Sequence, residues 1–183
     1  MKLVVAVTGA SGVAYGVRLL EVLKQSGVET YAVVTDAALL TLKYETEYSA
    51  DYLKSIASHY HQEGELDAPI ASGSFQVDGM VVAPCSMKTL ASIAHGLESN
   101  LVVRSAMVSL KERRPLLLLI RETPLNTIQI ENMLRCSQAG AIIMPASPSF
   151  YNDPKDVSAM VDQVVGRILD VFHLPHTLYK RWG

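Results

Sequence analysis

Apolar residues along the chain fall into five short runs, separated by stretches with helical spacing. Residues 3–7, 28–35, 80–83, 116–120 and 141–144 are the runs, and each predicts a strand buried on both faces. Between them, Val13, Val17, Leu19, Leu20 and Leu23 recur at helical intervals. Further helices are predicted over residues 37–44, 52–57, 87–95 and 100–113, and from Asn126 onward. The segment Glu45-Thr46-Glu47 interrupts the pattern. A long amphipathic helix is predicted over 154–173, with Val157, Met160, Val161, Val164, Val165, Ile168, Leu169 and Phe172 as its stripe. Residues 58–75 show weak periodicity and carry His59, His61, Gly64, Pro69 and Gly73, so they read as an excursion across the surface.

Strands alternating with helices, each strand apolar throughout, predict a parallel sheet covered on both faces. The fold class is therefore α/β: a three-layer, Rossmann-like or flavodoxin-like doubly wound sheet forming a single domain over residues 1–183. Ligands of such sheets bind beyond the carboxyl ends of the strands. The segments there are Gly9-Ala10-Ser11, Thr35-Asp36, Pro84-Cys85-Ser86, Arg121-Glu122 and residues 145–151.

The first of these segments carries the strongest local signal. In LVVAVTGASGVAYG, a buried strand runs straight into a glycine-rich turn and a helix. Gly9 and Gly12 permit a sharp turn and close approach of a ligand, and Ser11 is placed to cap the helix. Free N–H groups and the helix dipole at such a start favour an anion, most often phosphate. The glycine spacing is not G-x-G-x-x-G, and a glycine-rich first turn also occurs without a ligand.

Other rim residues admit two readings each. Ser86-Met87-Lys88-Thr89 repeats the hydroxyl-rich helix start, or is a simple serine cap. Arg121-Glu122 can hold a phosphate and move a proton, or form a surface ion pair. Arg104 and Lys111 lie seven apart on one predicted helix, facing either an anion or solvent. Arg167 lies at the edge of an apolar stripe, either snorkelling or pointing into a pocket beside Tyr151. Cys85 reads as a small buried hydrophobe rather than a nucleophile. Tyr151 and Lys155 match the Y-x-x-x-K pair of short-chain dehydrogenases, but Pro154 between them breaks the helix that pair requires.

Composition narrows the function class. Sixteen basic and 18 acidic residues give a net charge of −2 with no basic block, which argues against nucleic acid. A hydrophobic content of 49% suggests that apolar surface is covered by other subunits. The apolar run at 116–120 is far too short to span a bilayer, and Met1-Lys2 leads directly into a strand. No membrane association and no signal peptide are expected, and the expected location is cytoplasmic. The two cysteines and five histidines show no metal-ligand spacing, so no metal is expected.

Taken in order, TGASG-x-x-YG, ASGSF (71–75), APCSMKTLA (83–91), LKERRPLLLL (110–119), RETPLN (121–126), MPASPSFY (144–151) and a late Arg167 closely resemble the flavin prenyltransferase UbiX family. That family belongs to the homo-oligomeric flavin-containing cysteine decarboxylase superfamily. The resemblance spans nearly the whole chain. It implies transfer of a dimethylallyl group from dimethylallyl monophosphate to N5 and C6 of reduced FMN, giving prenylated FMN for a UbiD-type decarboxylase. It also implies no metal and a homododecamer with FMN sites between subunits. By position, Gly9, Ala10, Ser11 and Thr35, then Ser86, Met87, Lys88 and Thr89, and also Arg121, resemble the FMN-binding residues. Arg104, Lys111, Glu122, Tyr151 and Arg167 resemble the prenyl-phosphate site. Glu122, Lys111, Glu45 and Ser11 are the implied catalytic residues, with Glu47 as the alternative to Glu45. Trp182 is implied to cover the site. The alternatives are an FMN-dependent cysteine decarboxylase of the same superfamily and a non-catalytic FMN-binding assembly subunit. The first uses an early histidine, and none precedes His59 here.

Overall fold

The computed structural model describes residues 1–181. Among them the order is β1 (Lys2–Val7), α1 (Val13–Gln25), β2 (Glu29–Val34), α2 (Asp36–Glu45), α3 (Ala50–Ile56), β3 (His59–Gln62), β4 (Gly79–Cys85), α4 (Met87–Ala94), α5 (Leu101–Lys111), β5 (Leu116–Ile120), α6 (Thr127–Gln138), β6 (Ile142–Pro145) and α7 (Val157–Val171). The strands pair in parallel in the order β3-β2-β1-β4-β5-β6.

Strand periodicity builds the three layers. On β1, Leu3, Val5 and Val7 enter a core shared with α1 and α7, while Val4 and Ala6 enter one shared with α4 and α5. Helix starts follow local chemistry. The side chains of Thr35, Ser86, Asn100 and Asp156 accept the N–H groups of Ala38, Thr89, Val103 and Ala159. Asn126 and Gln129 form a reciprocal capping box at α6. α1 is different: its N-cap is Gly12, at φ 94°, and it has no side-chain cap of its own. The capping role expected of Ser11 is therefore not realised, because the left-handed turn at Gly12 moves the helix start past it.

Three other expectations change. The excursion over 58–75 contains a sixth strand, β3, whose sequence HYHQ has no apolar run. It is an edge strand held by its ladder to β2 and by stacking of His59 on Tyr31 at 4.3 Å. β6 is not buried on both faces, because it is the opposite edge and pairs only with β5; Ile142 is exposed. Val157, assigned to the apolar stripe, is exposed because it opens α7, ahead of the residues that reach the core.

Strand order reverses at β1, from which the chain winds one way to β2 and β3 and the other way to β4, β5 and β6. This switch point leaves a crevice between the ends of β1 and β4.

Candidate functional site

The crevice is held open by one buried hydroxyl. Thr8, at 1% exposure, donates through Oγ1 to Pro84 O at 2.7 Å and accepts the Ser86 N–H at 2.8 Å. It thereby ties the turn after β1 to the turn after β4. Between them lies a cavity of about 190 Å³ lined by residues including Thr8, Gly9, Thr35, Ser86, Lys88 and Thr89. The Thr35 and Thr89 hydroxyls are buried in its wall. Ser86 Oγ bonds Thr89 Oγ1 at 3.0 Å and accepts the Thr89 N–H, which opens α4 towards the cavity. Hydroxyls, a helix start and one lysine form a donor set suited to a phosphate ester. Gly9 is required by packing: a Cβ there would meet Ala37 Cβ at 2.4 Å.

At α1 the anion position is already filled. The Glu45 carboxylate accepts the N–H groups of Gly12 at 2.8 Å and Val13 at 3.2 Å. The N–H groups expected to bind phosphate are thus used by the chain's own carboxylate, which sits beside Ser11 at the end of α2. Of the two glutamates considered, the fold brings Glu45 to the first turn. Arg121 joins the same group by donating its Nε to Ser11 O at 3.1 Å. Glu122, next along, is exposed and accepts the Thr123 N–H at 2.9 Å. Ala10 is buried within the turn, and Met87 packs on the core cluster under α4.

A second cavity, of about 170 Å³, opens beyond β6. Tyr151, Arg167, Ser149, Gln163 and Tyr179 are among the residues that line it. Gln163 is buried and its Oε1 accepts the Ser149 N–H, shaping the loop that carries Tyr151. Tyr151 and Lys155 both precede α7, and Lys155 pairs with Asp153. They share no helical face, so the dehydrogenase pair does not form.

Lys111 and Arg104 are not brought to this pocket. α5 starts at the rim, where Asn100 lines the first cavity, and runs back so that Lys111 lies beside Gly73, just ahead of β5. There Lys111 pairs with Glu112. Arg104 donates to Ala71 O at 2.9 Å and pairs with Glu98 at 2.6 Å. Within one chain Lys111 therefore lies ahead of β5 and Glu122 just past its end, while Arg167 is on α7, against the opposite face of the sheet from α5. Trp182 lies outside the described residues.

Cys85 is fully buried, and burial pushes its thiol far up, so it cannot serve as a thiolate nucleophile. Glu63 is a further rim residue, outside the strand-end segments. It accepts from Asp36 N at 3.0 Å and Asn100 Nδ2 at 2.6 Å, joining the starts of α2 and α5 at the first cavity. No local signal marks it, because it lies in the aperiodic excursion.

A protein-family profile described as Flavoprotein matches residues 1–179. The flavin prenyltransferase UbiX of Methanocaldococcus jannaschii is 46% identical over 183 residues, covering 100% of this chain and 99% of that protein. A crystal structure of AnUbiX in complex with FMN and dimethylallyl pyrophosphate matches with a TM-score of 0.98 at 45% identity, covering 100% of this chain and 97% of the other. A dodecameric FMN-dependent UbiX-like decarboxylase from Escherichia coli matches with a TM-score of 0.98 at 47% identity, covering all of both chains.

Proposed function

The chain belongs to the flavoprotein family and, within it, to the UbiX flavin prenyltransferases, and we propose that its two rim cavities divide the two phosphates of the reaction between them. It is an enzyme that attaches a prenyl group to reduced FMN, giving prenylated FMN. Residues 1–183 act as one FMN-binding domain. Its first cavity fits the FMN phosphate: Ser86, Thr89 and Thr35 offer hydroxyls, α4 offers its N-terminal N–H groups, and Lys88 offers charge. Gly9, Ala10, Ser11 and Arg121 then border the flavin ring, and Met87 supports α4 from beneath.

When bound, reduced FMN supplies the ring positions N5 and C6 that accept the prenyl group. The second cavity receives the phosphate of dimethylallyl monophosphate. Arg167 and the Tyr151 hydroxyl stabilise the charge that grows on the phosphate as its C–O bond breaks. Glu122, on the rim between the cavities, accepts the proton lost from the ring. Glu45 and Ser11 form the edge of the first turn, where proton movement at the flavin is supported. Lys111 and Arg104 reach the phosphate from a neighbouring copy, so the complete site forms only in a homo-oligomer.

Assembly as a homododecamer, as in the Escherichia coli relative, accounts for the apolar side chains that α6 and its flanks expose: Leu125, Ile128, Ile130, Leu134 and Ile142. The product serves a UbiD-type decarboxylase. Among the described residues no helix is long and apolar enough to cross a membrane, and the enzyme is placed in the cytoplasm as part of the same proposal.

The single observation that carries the reading is the pair of separate cavities, one hydroxyl-lined at α4 and one holding Tyr151 and Arg167. Anaerobic incubation with reduced FMN and dimethylallyl monophosphate tests it, followed by the mass and spectrum of the flavin. A flavin heavier by one C5H8 unit is expected. Unchanged FMN would overturn the proposal. Glu122→Gln should slow transfer by a factor of about 100 to 10,000 with FMN affinity retained. Loss of FMN affinity with normal turnover at saturating FMN would remove Glu122 from the proton step.

A further inference from the structure

α7 carries one carboxylate that the proposed chemistry does not use. Asp170 retains 15% side-chain exposure and receives four donors. Its Oδ2 accepts the Tyr179 hydroxyl at 2.5 Å and Arg167 Nη1 at 2.8 Å. Its Oδ1 accepts Arg181 Nη2 at 2.6 Å and His176 Nε2 at 3.0 Å. His176 Nδ1 accepts the Leu178 N–H at 3.3 Å, which assigns the ring proton to Nε2 and makes that nitrogen the donor to Asp170. Burial alone would raise the Asp170 carboxyl, but the bonds from Tyr179, Arg181 and His176 outweigh it and hold the group far below the usual carboxylate range.

These contacts fix two walls of the second cavity at once. Arg167 is a long side chain, 59% exposed, whose guanidinium is free to sample many rotamers unless held. Oδ2 holds it, and it holds Tyr179 beside it, with Arg167 Nη1 and the Tyr179 hydroxyl 3.5 Å apart. The Tyr179 ring is pressed onto Gly166, where an added Cβ would stand 2.6 Å from Cδ1 and Cε1. Arg167, Tyr179 and Tyr151 line the same cavity. A carboxylate so close to a phosphate site would repel the ligand if it stood alone. Here two guanidiniums face one carboxylate, and the Arg181 contact on Oδ1 leaves the Arg167 charge uncancelled.

We propose that Asp170 is a positioning residue of the prenyl-phosphate site: one of its oxygens sets Arg167 and Tyr179 in the cavity wall, and the other ties the segment 174–181 to the same helix. Asp170 does not touch substrate; it acts through Arg167. The proposal rests on the reading of Arg167 as a cation for the prenyl phosphate. Holding the guanidinium before binding removes an ordering cost from binding itself.

The test is steady-state transfer by D170N and R167A, with the prenyl phosphate varied at saturating reduced FMN, alongside an FMN titration and a melting curve. For D170N we expect KM for dimethylallyl monophosphate to rise about tenfold, kcat to change less than KM, and FMN affinity to stay unchanged. D170E should recover part of the loss, because it restores the charge. A rise in KM for R167A with an unchanged KM for D170N overturns the positioning role and leaves the site assignment standing. An unchanged KM and an unchanged kcat in both overturn the assignment of Arg167, and the positioning role with it. Parallel loss of FMN affinity and prenyl-phosphate binding in D170N reduces Asp170 to general structural support and also overturns the proposal. If D170N does not fold, D170E decides, because it keeps the charge and moves the carboxylate by one methylene relative to Arg167. A folded D170E with the parent KM overturns the proposal, and a raised KM supports it.

Discussion

The Glu45 carboxylate accepts the Gly12 N–H at 2.8 Å, so the last residue of α2 caps the first turn of α1. The contact joins two helices that share no local sequence pattern and neutralises the dipole at the glycine-rich turn. It also leaves the start of α4 as the open anion-binding end at the switch point. Glu45→Ala should therefore destabilise the protein without FMN by about 0.5–2 kcal/mol, the usual value of an N-cap. Thermal unfolding checks this: a melting temperature equal to that of the parent protein would show that the contact contributes nothing.

Ser86 caps α4 through its hydroxyl and faces the first cavity. Ser86→Ala removes one donor and loosens the helix start. FMN affinity should fall about tenfold, read by flavin fluorescence titration, while KM for the prenyl phosphate at saturating FMN stays constant. A larger effect on the prenyl phosphate than on FMN would reverse the assignment of the two cavities.

Lys111 lies ahead of β5 at the end of α5, on one face of the sheet, whereas Tyr151 follows β6 and Arg167 is carried by α7, which packs on the other face. If neighbouring copies complete each site, then Lys111→Ala and Arg167→Ala oligomers, each impaired alone, should regain transfer when dissociated, mixed and reassembled. Some mixed sites then combine an intact Lys111 from one copy with an intact Arg167 from another. No recovery in mixed oligomers of confirmed composition would place both residues in a site made by one chain.

The Tyr52 hydroxyl donates to Glu21 at 2.6 Å, linking α3 to α1. This bond, and burial after it, raises the Tyr52 hydroxyl to about 12. A raised folded-state value favours the neutral form, so the contribution to stability is complete below the ordinary tyrosine range near pH 10. It is lost as pH rises from there towards 12. Tyr52→Phe should lower the melting temperature at pH 8 and flatten its decline between pH 10 and 12. Parallel melting curves against pH for the variant and the parent protein would show that the bond carries no such linkage.

Strand and helix identity was legible in the sequence wherever periodicity is strong. β1, β4 and β5 are buried on both faces, so nearly all their residues are apolar, and no choice of partner changes that reading. The same holds for the caps at Thr35, Ser86 and Asn126, whose bonds span three residues, though not for Ser11. β3 was hidden because an edge strand needs no apolar run. Its pairing comes from the β2 ladder and from side chains stacked across it.

The ordered motifs brought out the family, and the sequence placed Gly9, Ser11, Thr35, Ser86 and Arg121 on one rim. Only the tertiary structure brought Glu45 rather than Glu47 to the first turn, drew Glu63 into the rim, and left Lys111 ahead of β5, away from the strand ends. It alone gathered Arg167, Tyr179, His176 and Arg181 around Asp170. The physical reason is the range of the interactions. Hydrophobic periodicity and capping are set by neighbours within a turn of chain. A side chain's distant partners depend on the direction in which each helix runs back along the sheet, and that direction is fixed only when all the layers pack together.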